Sequence, residues 1–184
     1  MKTARRQQII AHHEAGHAVV ARLLKVGVGL ATLKPISGDD PAVLTVSAAH
    51  LDPDNVIACQ KDAMVAIAGP LAQHRYHPHK STDIARRWRE RPFYMEGSDC
   101  HTAMSFVARM YLLQNGQTVG TGPLAIDFDD EQGQAYEQLL DETMAQTRKL
   151  IEAHWDAIKR VAAALLAEPA LTEADVDALI ADRA

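Results

Sequence analysis

The chain has 184 residues, is 47% hydrophobic and 23% charged, and carries a formal net charge of -5, the profile of one globular domain rather than a disordered or fibrous chain. Aromatic residues are only 5% while alanine is abundant, which favours closely packed helices over a β-sandwich. No sustained basic stripe exists beyond the short cluster Arg86, Arg87, Arg89 and Arg91, no apolar run is long enough to cross a membrane, and two cysteines, Cys59 and Cys100, make no disulfide framework, so the expectation is a cytoplasmic protein with neither nucleic acid nor membrane as partner.

The first periodic segment runs from Arg5 to about Lys25. Ile9, His13, His17, Val20 and Leu24 recur at helical spacing and form one stripe. Gly27 and Gly29 are expected to break this helix. Two β-like runs follow, Leu30 to Ile36 and Ala42 to Ala48, separated by the turn-forming residues 37–41. A small hairpin is expected there, and it must lean on helices because two strands do not stand alone. A second helix is predicted from about Asp54 to Arg75, with Gly69 and Pro70 inside it. Proline removes a helical hydrogen bond and is expected to kink or divide the helix.

Residues 74–98 are the least regular part of the chain, with a short helix expected around Thr82 to Arg89. A third helix is predicted from Asp99 to about Leu113, followed by a glycine-bearing loop over 114–123. The helical pattern resumes from about Asp129 to Leu166, either as one long helix or as two broken near Ala153, and Glu168-Pro169 stops it. Thr172 and Asp175 have the spacing of a capping box, opening a last helix to about Arg183.

The chemistry is concentrated in His13-Glu14-Ala15-Gly16-His17, an H-E-x-x-H sequence inside the first helix. Residues four apart lie on one helical face, so two imidazoles one turn apart can bind a single ion. Glu14 then reaches a water on that ion as general base, the pattern of a zinc hydrolase. The plainer account is a pair of core histidines bonded to their neighbours, which requires that every buried imidazole and carboxylate find a partner. A catalytic zinc site also needs a third protein ligand and an open position. No histidine follows His17 until His50, so the third ligand must come from elsewhere in the fold.

The segment His13-Glu14-Ala15-Gly16-His17-Ala18-Val19-Val20-Ala21 resembles the corresponding segment of the FtsH-type zinc peptidase domain. Ala68-Gly69-Pro70-Leu71-Ala72 resembles that family's small-residue segment on the second helix. Gly97-Ser98-Asp99, followed by Ala103 and Ala108-Arg109, resembles its segment supplying an aspartate ligand. Ile126-Asp127 with the long helix beyond it, and Leu171-Thr172, resemble its C-terminal part. The resemblance spans nearly the whole chain and implies a mainly α, zincin-like peptidase domain with a small β-hairpin or short sheet. It implies one domain over 1–184, with metal-site helices and hairpin in 1–127 and C-terminal helices in 128–184.

By the same resemblance Zn2+ is the cofactor, Asp99 the third ligand beside His13 and His17, and Glu14 the catalytic group. A carboxylate at a helix start is a rigidly placed oxygen ligand, while the ordinary role of an aspartate there is an N-cap. His101 and Asp83 are the other candidates for the third position. The family has glutamate where this chain has Gln73. The chain contains no G-x-x-x-x-G-K-[ST] loop, so the expected activity is ATP-independent, on peptides or unfolded protein, alone, as a homo-oligomer or with a separate partner protein. Three other readings share these residues: a helical module that holds zinc without hydrolysis, a prophage-type metallopeptidase that cuts one regulator, and a scaffold with no metal. His74, His77 and His79 read as a surface loop, and Cys100 as a packing residue.

Overall fold

The computed structural model describes residues 2–33, 43–46, 54–78, 98–119, 124, 129–168 and 170–182. Six helices and two strands occur among them: α1 (Lys2–Leu23), β1 (Val28–Thr32), β2 (Val43–Val46), α2 (Val56–Tyr76), α3 (Asp99–Gln114), α4 (Asp130–Ala153), α5 (Trp155–Ala167) and α6 (Glu173–Ala181). The protein is mainly α, with one two-stranded antiparallel sheet. β1 and β2 pair Leu30 with Thr45, Ala31 with Leu44 and Thr32 with Val43. Ala31 also bridges to Leu171, so the segment before α6 lies along the other side of β1. The predicted turn at 37–41 and the predicted short helix around Thr82 to Arg89 lie outside the described residues.

Helix α1 is not a one-sided amphipathic helix. From Ala11 to Ala21 every residue except His13 is buried, so the expected stripe is only part of its contact surface. A helix buried all round is walled in on several sides. Here α2 covers one face, and α5, α6 and the sheet cover others. The helix also ends earlier than its glycines suggest. Its last residue is Leu23, and Lys25 takes a left-handed backbone with φ 59°, so the chain has already turned before Gly27. Gly29 lies within β1.

Helix α2 begins after Asn55, whose side chain accepts from the N–H groups of Ile57 and Ala58. It runs unbroken through Pro70, contrary to the expected division. Ile67, Ala68, Leu71 and Ala72 on either side are all buried, and this packing holds the flanking turns in helical form. The alanines explain how closely α1 and α2 approach. A Cβ placed on Gly16 would lie 2.6 Å from the Ala72 Cβ and 2.7 Å from the Ala68 carbonyl oxygen. The helices run antiparallel, since Gln8 meets Tyr76, His13 meets Gln73 and His17 meets Val65.

The long C-terminal pattern is two helices, α4 and α5, separated at His154. α4 opens with a capping box between Asp129 and Gln132. α6 opens with the expected one between Thr172 and Asp175. One core joins the parts 1–127 and 128–184: Val19, Val20, Ile67 and Met110 pack in the same cluster as Leu140, Ile151, Ile158 and Val161. Arg22 on α1 holds Glu173 and Asp177 of α6 at 2.9 and 2.8 Å. No helix among the described residues is long and apolar enough to cross a membrane.

One buried acid on α2 carries a cost. Burial pushes the Asp62 carboxyl up to about 6, opposed by Lys61. Its folded-state value lies above its unfolded one, so its contribution is favourable at low pH and is lost as pH rises toward 6. Asp62→Asn should therefore raise stability at pH 7.5 by about 1–3 kcal/mol and have no effect near pH 3.5, measured by urea unfolding at both pH values. Gly16→Ala should lower stability by about 1–3 kcal/mol in the same assay, because the α1–α2 contact has no room for a methyl. Gly133, where a Cβ meets nothing within 4 Å, provides the control: Gly133→Ala should stabilise by up to ~1 kcal/mol.

Candidate metal centre

The site is built on the α1–α2 seam. His13 and His17 stand one turn apart on α1, with ring centroids 4.7 Å apart and planes at 77°. Each ring is fixed at its Nδ1 by α2. His17 Nδ1 donates to the Val65 carbonyl oxygen at 2.7 Å. His13 Nδ1 donates to Gln73 Oε1 at 2.9 Å. Gly69 lies between these two partners on the same stripe of α2, and it leaves the space that the His17 ring fills. A Cβ there would fall 2.2 Å from His17 Nε2.

Asp99 comes from α3. The N-cap of that helix is Ser98, whose Oγ accepts from the His101 N–H. Asp99 is therefore relieved of the capping role and occupies the first helical position. One of its oxygens lies 2.9 Å from His13 Nε2 and the other 3.4 Å from His17 Nε2. The two Nε2 atoms are themselves 3.1 Å apart. His13, His17 and Asp99 form the one group of three or more such side chains among the described residues that could hold an ion, with ligand atoms within 4.8 Å of one another.

The hydrogen bonding defines what this cluster needs. Both Nδ1 atoms donate, so in neutral rings both Nε2 atoms present lone pairs. Two nitrogen lone pairs and two carboxylate oxygens thus converge on one small volume. Such an arrangement suits a cation at its centre, either a proton or a metal ion. With a proton, burial would lower the His17 value, but the Asp99 charge and hydrogen bond, with Glu14 and the Val65 carbonyl, override it and raise it to about 9. Burial likewise favours neutral Asp99, yet His17 and His13 hold its carboxyl well below the usual carboxylate range. One proton on His17 cannot satisfy all four atoms. A divalent ion can, and its binding displaces that proton. The donor set of two imidazoles and one carboxylate fits zinc.

Glu14 is buried, with 7% of its surface exposed. Burial raises its carboxyl above the ordinary value, against the pull of His17 and His13 and with Asp99 adding to the rise. An acid shifted upward, beside the ligands, is suited to accept and return a proton. The His13 and Asp99 side chains are 20% and 33% exposed, so one side of the cluster faces the outside.

The other expected residues fall elsewhere. His101 lies on α3 but does not join the group, and Asp83 and His79 lie outside the described residues. His74 is not in a loop, because α2 extends to Tyr76, and His77 is the C-cap residue, paired with Arg5 at 2.8 Å. Cys100 packs its sulfur 3.7 Å from that of Met104, and burial, then the Asp99 charge, pushes its thiol up to about 11, the opposite of an activated nucleophile. A polar cleft between the end of α3 and the start of α4, lined by residues such as Asn115, Asp129 and Gln132, carries none of the three ligands.

Sequence reasoning marked Gln73 only as a departure from the family, and gave no part to the Val65 carbonyl or to His12. His12 adjoins the motif but turns away from the cluster. It stacks on Tyr76 with centroids 3.7 Å apart and bonds the Gln8 carbonyl, while Arg75 lies over Trp155, which tilts against the same imidazole. This set fastens α1 to α2 and α5. No sequence signal separates His12 from His13 except helical phase relative to His17.

No protein-family model matches the chain, and no curated protein is significantly similar to it. Gly69→Ala tests the geometry directly. The added methyl should displace the His17 ring and weaken zinc binding on the order of tenfold or more, read by competition with a chromogenic chelator, while circular dichroism remains helical. Unchanged zinc affinity would mean that the ring position is irrelevant to the site.

Proposed function

We propose that this chain is a zinc-dependent peptidase. The observation that carries the proposal is the convergence of the His13 and His17 Nε2 lone pairs with both Asp99 oxygens beside the buried Glu14. The resemblance of the motif segment and of the Asp99 segment to the FtsH-type peptidase domain supports the same reading. The partial exposure of His13 and Asp99 favours catalysis over a purely structural ion, because a structural zinc is closed off by protein ligands on every side.

In this reading His13, His17 and Asp99 hold the ion. Bound zinc supplies Lewis acidity and makes a water molecule acidic near neutral pH. Glu14 would take a proton from the attacking water as its oxygen bonds to the scissile carbonyl carbon, and would deliver that proton to the amine released when the C–N bond breaks. Its raised value keeps the returned proton available for that second transfer. Peptides, flexible segments or unfolded chains are the substrates, since their backbone can reach the open side of the site.

The test separates binding from turnover. Glu14→Gln should keep one zinc per chain and lose peptide cleavage by at least about 100-fold, whereas His17→Ala should lose both zinc and cleavage. Zinc content by elemental analysis and cleavage of an unfolded protein read the two properties. Full cleavage by Glu14→Gln would refute the role given to this carboxylate.

A further inference from the structure

The two imidazoles are oriented by different kinds of acceptor, and neither acceptor is charged. His17 donates to a backbone carbonyl and His13 to the carboxamide of Gln73. A carboxylate is a common partner at the outer nitrogen of a metal-binding imidazole, where it raises the basicity of the ring and tightens the metal. Here the only charge among the three ligands is that of Asp99. A divalent ion on two neutral imidazoles and one carboxylate keeps an excess positive charge. A glutamate at position 73 would cancel that charge through a shorter and stronger hydrogen bond to the same Nδ1. The carboxamide makes the bond, and so fixes the ring, without supplying the charge.

We propose that Gln73 is the positioning residue for His13, and that its neutral carboxamide sets this centre to weaker, more readily exchanged zinc binding than a carboxylate in the same place. This rests on the peptidase reading for its importance but not for its test. Gln73 is half-buried on α2, one turn beyond Gly69, so the side chain that orients His13 stands on the same rigid stripe that accommodates His17. Two properties that are usually joined, ring orientation and charge compensation, are separated at this residue. Gln73→Glu keeps the shape and restores the charge, and Gln73→Met keeps approximate size and removes the acceptor.

Zinc competition titrations on the full chain, with zinc alone as the probe, distinguish these effects. Gln73→Glu should bind zinc about tenfold or more tighter than the parent, and Gln73→Met about tenfold or more weaker. The His13 Nδ1–H resonance of the zinc-loaded protein should be slowed in exchange in the parent and in Gln73→Glu, and lost in Gln73→Met. A merely structural role would move neither the order of affinities nor that resonance. Equal affinities for the parent and Gln73→Glu, in a parent that binds zinc and cleaves peptide, would overturn this proposal and leave the peptidase reading standing. A parent that binds no zinc would overturn both.

Discussion

The closeness of α1 to α2 is the constraint on which the rest of the site depends. At Gly16 the two helices touch with no space for a side chain, and at Gly69 the missing side chain is replaced by an imidazole. Without the second gap His17 could not lie flat against α2 and reach the Val65 carbonyl. The same seam brings Gln73 to His13. Interiors packed to crystal-like density transmit such restrictions directly, so the two rings have little freedom to turn. The clamp of His12, Tyr76, Trp155 and Arg75, with Arg75 also paired to Glu152, fixes one end of this seam, and the Arg22 ion pairs tie the far end of α1 to α6.

Rigidity in this seam has an electrostatic consequence. Lone pairs that cannot rotate away from one another must be neutralised by something placed between them. A proton on His17 beside an ionised Asp99 achieves this in part, and each group shifts the other in the direction that favours this pair. A divalent ion achieves it more completely. Two imidazoles and a carboxylate held this way suit a cation, and Glu14 is buried beside them, where His17 and His13 pull its carboxyl down against the rise from burial. Asp99 completes the set because Ser98 takes the capping role, which allows the aspartate to face inward.

Much of this was legible in the residues. The spacing of His13 and His17 fixed their shared face, and apolar periodicity located α1, α2 and α3 to within a few residues. The capping box at Thr172 was readable because it uses only local chemistry. The fate of Pro70 was not, because whether a proline divides a helix depends on the packing of its neighbours, here buried Ile67 and Leu71. α1 ends at Leu23, just before the expected end near Lys25, because the left-handed turn falls on Lys25 rather than on a glycine. Asp99 was reached only through resemblance, since an aspartate at a helix start reads equally as a cap. Gln73 was visible as a departure from the family, but its contact with His13 across the seam has no local signature.

Zinc-edge X-ray absorption on the purified, zinc-loaded chain reads the coordination of the ion itself. If His13, His17 and Asp99 hold the ion, its neighbours are nitrogen and oxygen only, with scattering from two imidazoles, one carboxylate and one solvent oxygen at about 2.0–2.2 Å. A sulfur contribution near 2.3 Å, a third imidazole with no solvent oxygen, or a protein that cannot be loaded at one zinc per chain would contradict it.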